Sequence, residues 1–405
     1  MPQVTRRSAV KHVGIDLGAR KSHIVTLENG GEERRLSTVP TAELRALFAR
    51  MPKARIVMEA CTQSPALARS AIDAGHEVIV VPGNLVRALG VGARGIKTDA
   101  KDAEVLALAS LRNLDLQSVH LRSAEAQSQQ ELLQARWTLV SARRDVANAI
   151  KAKLRGELIV LEGRASSSAF VEAVRRAALE QMGGVSLAME TQLATFQHLT
   201  EQIEKLTEEI DRLAEQDPVC TLLRTIPGVG PIVALAFRSH LDTHERFANA
   251  DHLASYLALV PGEATTGGKT KRTGTIKAGP VYLKALLVQA VWSMWRTKPN
   301  DPLVVWGCAI AEKRGRRIAV IAMARKLATV MWSMWRHGVA YDAGRASIAR
   351  AQPSSSPPFA NNAPTAATAA RVSNKAPPGQ NKPSEPNNKA LRSKNKASSP
   401  TSPAM

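Results

Sequence analysis

Four carboxylates stand where predicted strands end or a predicted helix begins, and they could bind metal ions there. Asp16 lies within Val-Gly-Ile-Asp-Leu-Gly, a predicted strand, and Glu59 ends a second predicted strand. Asp99 and Asp102 begin a predicted helix three residues apart, a spacing that puts both side chains on one helix face. Mg²⁺ prefers oxygen ligands in octahedral geometry. The sequence therefore predicts a site for a hard divalent cation, Mg²⁺ or Mn²⁺.

A site of this kind could cut a phosphodiester, because two divalent ions about 4 Å apart stabilise both the attacking and the leaving oxygen. Each motif alone is weakly specific. Asp-x-x-Asp at a helix start is by default a helix cap and a partner of the helix dipole. Gly-Ile-Asp-Leu-Gly also opens the actin-like ATPase fold. That fold needs a second Asp-containing phosphate loop and an adenosine-binding Gly-Gly segment, and the sequence has neither.

The charge of the chain indicates a polyanionic partner. The 405 residues carry a net charge of +20, and the pI is near 10.3. Residues 345–405 hold nine Lys and Arg and one Glu, so +12 remains in the rest of the chain. Nucleic acid is the usual partner of such a protein. Three cysteines without metal-binding spacing fit a reducing cytosol, and no apolar run reaches membrane-spanning length. We therefore expect a soluble, cytoplasmic, nucleoid-associated protein without membrane contact.

Composition divides the chain into four parts. Residues 10–122 alternate predicted strands and helices, which indicates an α/β domain with a mixed sheet. Residues 123–217 hold long predicted helices, and residues 218–344 form a basic, mostly helical domain. Residues 345–405 are rich in Pro, Ser, Ala and Asn and cannot bury a core, so we expect a disordered basic tail.

A heptad pattern marks the predicted helix at 190–215. From Met189 to Leu213 apolar residues recur at steps of three and four, which predicts a coiled-coil seam over more than three heptads. The partner is either the predicted helix at 124–160, in an antiparallel pair, or a second copy of the chain. We favour a contribution to dimerisation, giving a homodimer or a higher homo-oligomer.

Two motifs in residues 218–344 suit contact with a phosphate backbone. Ile-Pro-Gly-Val-Gly before an apolar helix resembles a helix-hairpin-helix motif, in which Gly228 and Gly230 would leave backbone N–H groups free for a phosphate. The Gly- and Thr-rich segment at 263–279 predicts a basic loop whose cations suit phosphate contact. Those cations are Lys269, Lys271, Arg272 and Lys277. Ordinary turn chemistry and a solvated loop are the alternative interpretations.

Taken together, these motifs resemble the insertion sequence 110 family of transposases. Asp16 in Gly-Ile-Asp-Leu-Gly and Glu59 in Met-Glu-Ala match half of its DEDD motif. Asp99 and Asp102 in Lys-Thr-Asp-Ala-Lys-Asp-Ala match the other half. The resemblance implies a ribonuclease-H-like, RuvC-like N-terminal domain, a coiled-coil middle and a mostly α C-terminal transposase domain. It covers about residues 10–340.

The same resemblance implies a DNA recombinase with a divided active site. The metal-binding carboxylates of one domain would act with a hydroxyl of the other, through a transient covalent protein–DNA link. The family has a serine at the nucleophile position, and this chain has Thr266 there, after Thr265. A threonine can attack through the same hydroxyl, although its methyl group adds bulk and restricts χ1. The family also implies a noncoding bridge RNA that guides the choice of donor and target DNA.

Two other functions stay open. The carboxylates alone could form a structure-selective nuclease of the RuvC type, with water as the nucleophile. The chain could also be a catalytically inactive nucleic-acid-binding protein that descends from a transposase. Cleavage without a protein–DNA link would indicate the nuclease.

Overall fold

The computed structural model describes residues 10–344 except 90–98, 113, 115, 162–167, 267–268 and 277–278, and only the backbone of 88, 168, 263–266 and 269–273. The tail at 345–405 lies outside the described residues. The strands are β1 (Lys11–Asp16), β2 (Lys21–Glu28), β3 (Glu33–Pro40), β4 (Ala54–Glu59), β5 (Glu77–Val81), β6 (Pro261–Thr266) and β7 (Lys269–Thr275). The helices are α1 (Leu44–Arg50), α2 (Ser64–Asp73), α3 (Gly83–Ala88), α4 (Asp99–Leu111), α5 (Ala124–Gly156), α6 (Ser168–Met182), α7 (Leu187–Gln216), α8 (Pro218–Leu223), α9 (Pro231–Leu241), α10 (Ala250–Tyr256), α11 (Val281–Thr297), α12 (Pro302–Arg314) and α13 (Arg316–His337).

The N-terminal region is built on a five-stranded mixed sheet in the order β3-β2-β1-β4-β5. β1, β2 and β3 pair antiparallel, whereas β4 and β5 run parallel to β1. The parallel pairs need crossovers, and α1 and α2 supply them. The expected mixed α/β domain is thus confirmed. The sequence pattern missed β3, because this edge strand is largely exposed and lacks the apolar alternation of a half-buried strand.

One helix, α4, lies across the sheet face opposite α1 and α2. Val25 and Leu27 of β2 share a buried cluster with Ala103 and Ala107 of α4. The approach to β1 is closest at Gly14, where an added Cβ would lie 2.0 Å from the Ala103 carbonyl oxygen. Only glycine permits that contact. The sequence prediction of a helix at 99–111 is confirmed.

Most of the heptad seam of α7 is buried within a single chain, whereas Leu199, Leu206 and Leu213 are half-buried. α5 and α7 pack side by side, and Arg136 Nε donates to Thr207 Oγ1 at 2.7 Å while Arg143 Nη1 donates to Thr200 Oγ1 at 3.4 Å. Residue numbers rise on one helix as they fall on the other, so the pair is antiparallel. Phe196 of the seam also packs against Phe170 of α6, a helix that the sequence analysis missed. Most of the seam is therefore buried without a second chain, and dimerisation stays a prediction.

The rest of the chain is mostly helical. Helices α8 to α13 pack around one core, which Leu133 of α5 and Ile210 of α7 join. α13 is long and apolar enough to cross a membrane, so the expectation that no segment reaches that length is wrong. Half of the apolar stretch of α13 is buried in the protein, where Leu327 and Met331 belong to the core. The apolar residues of α13 are thus used in packing.

The segment predicted as a basic loop contains an antiparallel β-hairpin. β6 and β7 pair from Pro261 opposite Thr275 to Thr266 opposite Lys269, with a register shift near Glu263. Repeated threonines favour strand over loop, because β-branched residues fit a pleated surface. The prediction of a loop was therefore wrong for these strands, and their connection at 267–268 lies outside the described residues.

We expect Gly14→Ala to destabilise the protein by about 3 kcal/mol, because the new methyl group would meet the backbone of α4 rather than a flexible side chain. Thermal or urea unfolding measures the change. Gly156→Ala is the matched control, since no atom lies within 4 Å of its added Cβ, and it should be close to neutral. Equal stability of both variants would contradict the close approach of α4 and β1.

Candidate active site

Asp16 and Glu59 end neighbouring parallel strands at the same edge of the sheet. Ile15 of β1 lies opposite Met58 of β4, so each carboxylate is the next residue along its strand. Side chains alternate between the two faces of a sheet. Gly14 contacts α4, and Val57 shares a buried cluster with Leu106 of α4. Asp16 and Glu59, two residues further on, therefore lie on the α4 face.

The N-terminus of α4 brings Asp99 and Asp102 to the same edge. α4 runs antiparallel to β1: the Ser110 hydroxyl lies 2.8 Å from Nδ1 of His12, and Ala103 packs on Gly14. One further turn towards the helix start reaches the carboxyl end of β1. Asp102 is buried there, with 5 % of its surface exposed, and the Asp99 side chain is 65 % exposed.

Asp16 is the electrostatic centre of this carboxylate cluster, defined as Asp16, Glu59, Asp99 and Asp102. Its pKa is raised to about 6 by partial burial and then by the negative charges of Asp99, Asp102 and Glu59. Desolvation and like charges both disfavour an ionised carboxyl group. Three elements distant in sequence thus place their acids close enough to repel one another.

The donor chemistry of the cluster fits a hard divalent cation, because all four side chains offer carboxylate oxygens. Burial and then the neighbouring negative charges raise the pKa of Asp16, and a bound cation would offset the repulsion among these charges. Among the described residues, however, no three His, Cys, Asp or Glu side chains converge tightly enough to hold one ion between them. The acids are therefore grouped electrostatically without forming a finished coordination sphere.

His23 is a neighbour of the cluster that the sequence analysis missed. It lies opposite Asp16 in the β1–β2 pair, and its Nε2 is 3.8 Å from Oδ2 of Asp99. His23 opposes the rise in the pKa of Asp16. The other ring nitrogen, Nδ1, lies 3.1 Å from Oγ1 of Thr38 on β3. The signal was available, since a short connection between two antiparallel strands places residues 16 and 23 close together.

Glu59 lies against a glycine at the start of α3. An added Cβ on Gly83 would be 2.5 Å from Oε1 of Glu59. The carboxylate therefore occupies the space that a side chain at position 83 would fill. Gly83 is thus a positioning residue for Glu59, and nothing in the sequence pattern indicated it.

The structure describes only the backbone of most predicted site residues in the Gly- and Thr-rich segment. The backbone puts Thr266 at the end of β6, and Lys269, Lys271 and Arg272 in β7. Their side chains lie outside the described part, as does all of Lys277, so their roles as nucleophile and phosphate contacts stay predictions.

Gly228 and Gly230 lie in the turn between α8 and α9. Gly228 has φ +86°, and an added Cβ would be 2.6 Å from the Ala290 carbonyl oxygen of α11. Helix packing therefore explains this glycine without a ligand. Gly230 is the exposed N-cap of α9 and has open space beside it. A nucleic-acid contact at either glycine stays a prediction.

A hydrogen-bonded junction connects the N-terminal sheet to the C-terminal helices. Asp242, the C-cap of α9, accepts from His120 Nε2 at 2.8 Å and from the Ser123 hydroxyl at 2.7 Å. Burial raises the pKa of Asp242, but the hydrogen bonds from Ser123 and His120 outweigh it and hold this pKa below its ordinary value. Ser123 also caps α5 by accepting from Ala126 N. The start of α5 is thereby fixed to the end of α9.

Sequence comparisons agree with the resemblance. Residues 13–158 match a DEDD transposase model of the IS110 type, and residues 220–303 match the model described as the Transposase IS116/IS110/IS902 family. The two matches together span more than half of the chain. The first contains the whole carboxylate cluster, and the second contains both glycines of the α8–α9 turn and Thr266.

Curated relatives match along nearly their whole length. A "Probable family 20 transposase" of Pseudomonas aeruginosa is 26 % identical over 83 % of this chain and 99 % of its own length. The "Transposase for insertion sequence element IS1328" of Yersinia enterocolitica is 26 % identical over 84 % and 99 %. The "Transposase for insertion sequence element IS1111A" of Coxiella burnetii is 25 % identical over 83 % and 92 %.

We expect Asp16→Asn to stabilise the metal-free protein at pH 8 by on the order of 1 to 2 kcal/mol, after allowance for solvent screening of a half-buried group. The folded protein holds the Asp16 proton up to about pH 6, whereas an unfolded chain releases it near 3.8. The ionised group therefore destabilises the fold as pH rises through that window. The advantage of Asn should vanish near pH 3.

Urea unfolding of both proteins across this pH range measures the difference. Asp73→Asn, at the exposed end of α2, is the matched control and should show no such trend. A stability difference between Asp16→Asn and the unsubstituted protein that does not change with pH would contradict a shared electrostatic cluster.

Proposed function

Because the chain belongs to the IS116/IS110/IS902 family of transposases, we propose that it cuts and rejoins DNA through a threonine nucleophile and a divalent metal ion. The protein is an insertion-sequence transposase, and its substrate is DNA. The observation that supports the finer mechanism is the carboxylate cluster around Asp16, whose members are those of the DEDD motif. The mixed five-stranded sheet beneath the cluster supports a ribonuclease-H-like, RuvC-like fold.

DEDD transposases generally use a divalent metal ion, and Mg²⁺ or Mn²⁺ is our proposal for this chain. Asp16, Glu59, Asp99 and Asp102 would hold it, and when bound it would stabilise charge on the phosphate oxygens. Asp16 and Glu59 belong to adjacent strands, and Asp102 is buried on α4, so these three acids have a rigid support. Asp99 is exposed and can adjust to the ligand.

The hydroxyl of Thr266 would attack a phosphorus of the DNA backbone. A bond forms between Oγ1 and phosphorus, the bond to one deoxyribose oxygen breaks, and that oxygen leaves as a hydroxyl carrying a proton, which balances the proton lost by Thr266. In the second step a deoxyribose hydroxyl of another strand attacks the same phosphorus and releases Thr266. The number of phosphodiester bonds is conserved, so strand exchange needs no external energy source.

A guide RNA and a homo-oligomer complete the proposal. Most of the +20 charge lies outside the 345–405 tail, which suits a protein that binds an RNA as well as DNA and associates with the nucleoid. The family suggests a soluble cytoplasmic protein, and association with the nucleoid is part of the proposal. Sequencing of RNA that copurifies with the protein tests the guide, and the molar mass in solution tests the oligomer. Absence of any element-encoded RNA would remove the guide from the proposal.

We expect Thr266→Ala to lose the covalent protein–DNA link and strand exchange by at least about 10³-fold, because the attacking oxygen is removed. Thr266→Ser should retain both activities within about tenfold. The measurement traps the adduct on a nicked DNA of the element end and maps the linked residue by mass spectrometry. Thr265→Ala is the matched control.

Outcomes of this experiment separate the other functions. Cleavage that persists in Thr266→Ala without an adduct would favour a water-using nuclease of the RuvC type. An adduct that maps to Thr265 would move the nucleophile by one residue. DNA binding with no cleavage by the unsubstituted protein, with Mg²⁺ and with Mn²⁺, would favour an inactive transposase descendant.

Metal binding has a readout that does not depend on activity. We expect Mg²⁺ or Mn²⁺ at 100 times its dissociation constant to stabilise the protein by about 2.7 kcal/mol, because it binds the folded state alone. Asp16→Asn should lose most of this effect, and Asp73→Asn should keep it. A rise in melting temperature that is equal in all three proteins would place the cation elsewhere.

A further inference from the structure

A cavity of about 400 Å³ opens where β4 ends, and its lining begins with the residue directly after Glu59. Ala60 and Cys61 at the end of β4 and Ser64 at the start of α2 form one wall. The facing wall is formed by Arg122, just before α5, and by Gln127, near the start of α5. The cavity thus lies where the N-terminal sheet meets the first long helix, and nothing in the proposed mechanism uses it.

The cavity and the cluster lie on the two sides of one sheet edge. Glu59 lies on the α4 face, so Ala60, the next residue, lies on the face of α2. Ala60 indeed packs with the apolar cluster beneath α1 and α2. A single DNA strand that crosses this edge at the cluster would therefore reach the cavity with its neighbouring nucleotide.

Arg122 lines the cavity and brings a positive charge to its wall. The Nε of Arg122 is buried and has no hydrogen-bond partner among the described residues. Arg122 has no described carboxylate at ion-pair distance, and its side chain makes a 3.5 Å contact from Nη2 to the Tyr256 hydroxyl. A guanidinium at a cavity wall without a described carboxylate partner favours an anionic ligand.

The remaining walls suit a nucleobase. Pro65, Val80, Val119 and Leu121 supply apolar surface, against which the face of a base can pack. Gln127 is held in place, since its Oε1 accepts from Arg69 Nη2 at 2.6 Å. The volume lies in the range of small-molecule sites and is far too small for a duplex. One unpaired nucleotide, with its phosphate at Arg122 and its base on the apolar wall, matches these features.

We propose that this cavity binds one unpaired nucleotide of the DNA strand, next to the phosphate at the carboxylate cluster. The inference rests on the proposed function, because it takes the cluster as the place of cleavage. Arg122 acts as a positioning residue that fixes the strand. Extruding a nucleotide from a duplex costs a few kcal/mol, so contacts in the cavity would favour DNA that is already unpaired.

Cys61 provides a probe of the cavity in the full-length protein. This thiol is exposed, whereas Cys220 is buried with its pKa raised to about 12 by desolvation, and Cys308 is half-buried. Peptide mass spectrometry can follow the alkylation of each cysteine by N-ethylmaleimide. A 15-nucleotide oligothymidylate should slow the alkylation of Cys61 at least tenfold and leave Cys308 unchanged. A 15-base-pair duplex of the same length should protect Cys61 less.

Arg122→Gln tests the phosphate contact. This variant should lose most of the protection of Cys61, and the salt dependence of oligothymidylate binding should fall by about 0.7 in logarithmic slope, the value for one phosphate of a single strand. Arg144→Gln is the matched control, because it removes the same charge from an exposed position further along α5. It should keep the protection.

The outcomes separate this inference from the proposed function. Oligothymidylate that binds, by fluorescence anisotropy, but leaves Cys61 reacting at the free rate overturns the nucleotide site and leaves the recombinase proposal intact. Equal protection in the two arginine variants overturns the role of Arg122. Failure of every DNA to bind removes the proposed function and this inference together. The alkylation of Cys61 is measured first in the unsubstituted protein, so that result does not depend on whether a variant folds.

Discussion

The contact between Gly14 of β1 and Ala103 of α4 is the constraint on which the candidate site depends. It lets a helix backbone lie directly on the central strand, and the antiparallel direction of α4 then carries its N-terminus to the carboxyl end of β1. Without that close approach, Asp99 and Asp102 would stand further from Asp16. One missing methyl group thus decides whether three elements share an electrostatic environment.

The same approach has an energetic consequence for the fold. It collects like charges at one sheet edge, where burial and repulsion raise the pKa of Asp16 to about 6. Such an arrangement destabilises the folded protein at neutral pH and is typical of functional sites. His23 reduces the repulsion between the carboxylates, and Gly83 leaves space for Glu59. The residues around the cluster therefore limit this destabilisation without removing it.

The second half of the molecule is fixed to the first by polar contacts near the start of α5. Asp242 accepts hydrogen bonds from Ser123 and His120. The paired helices α5 and α7 extend from that junction and contribute residues to the C-terminal core. Most of the seam that suggested a second chain is buried within the chain, against α5 and α6. The seam does not decide whether the proposed nucleophile at the end of β6 would meet carboxylates of its own chain or of another.

Local sequence determined much of this protein. Alternating apolar residues and turn signals predicted four of the five strands in the sheet, and the helix that carries both aspartates, because short-range patterns fix strands and helices with a buried face. The edge strand β3 and the hairpin of β6 and β7 were missed, since a largely exposed strand and a Thr-rich segment carry no such pattern. The helix α6 was also missed, although Phe170, Val171 and Val174 repeat at helical spacing and are buried. Which acids meet, which histidine joins them, and where Arg122 faces a cavity depend on contacts between residues far apart in sequence. Only the tertiary structure decides those, because register, close approach and burial are properties of packed elements and not of any one segment.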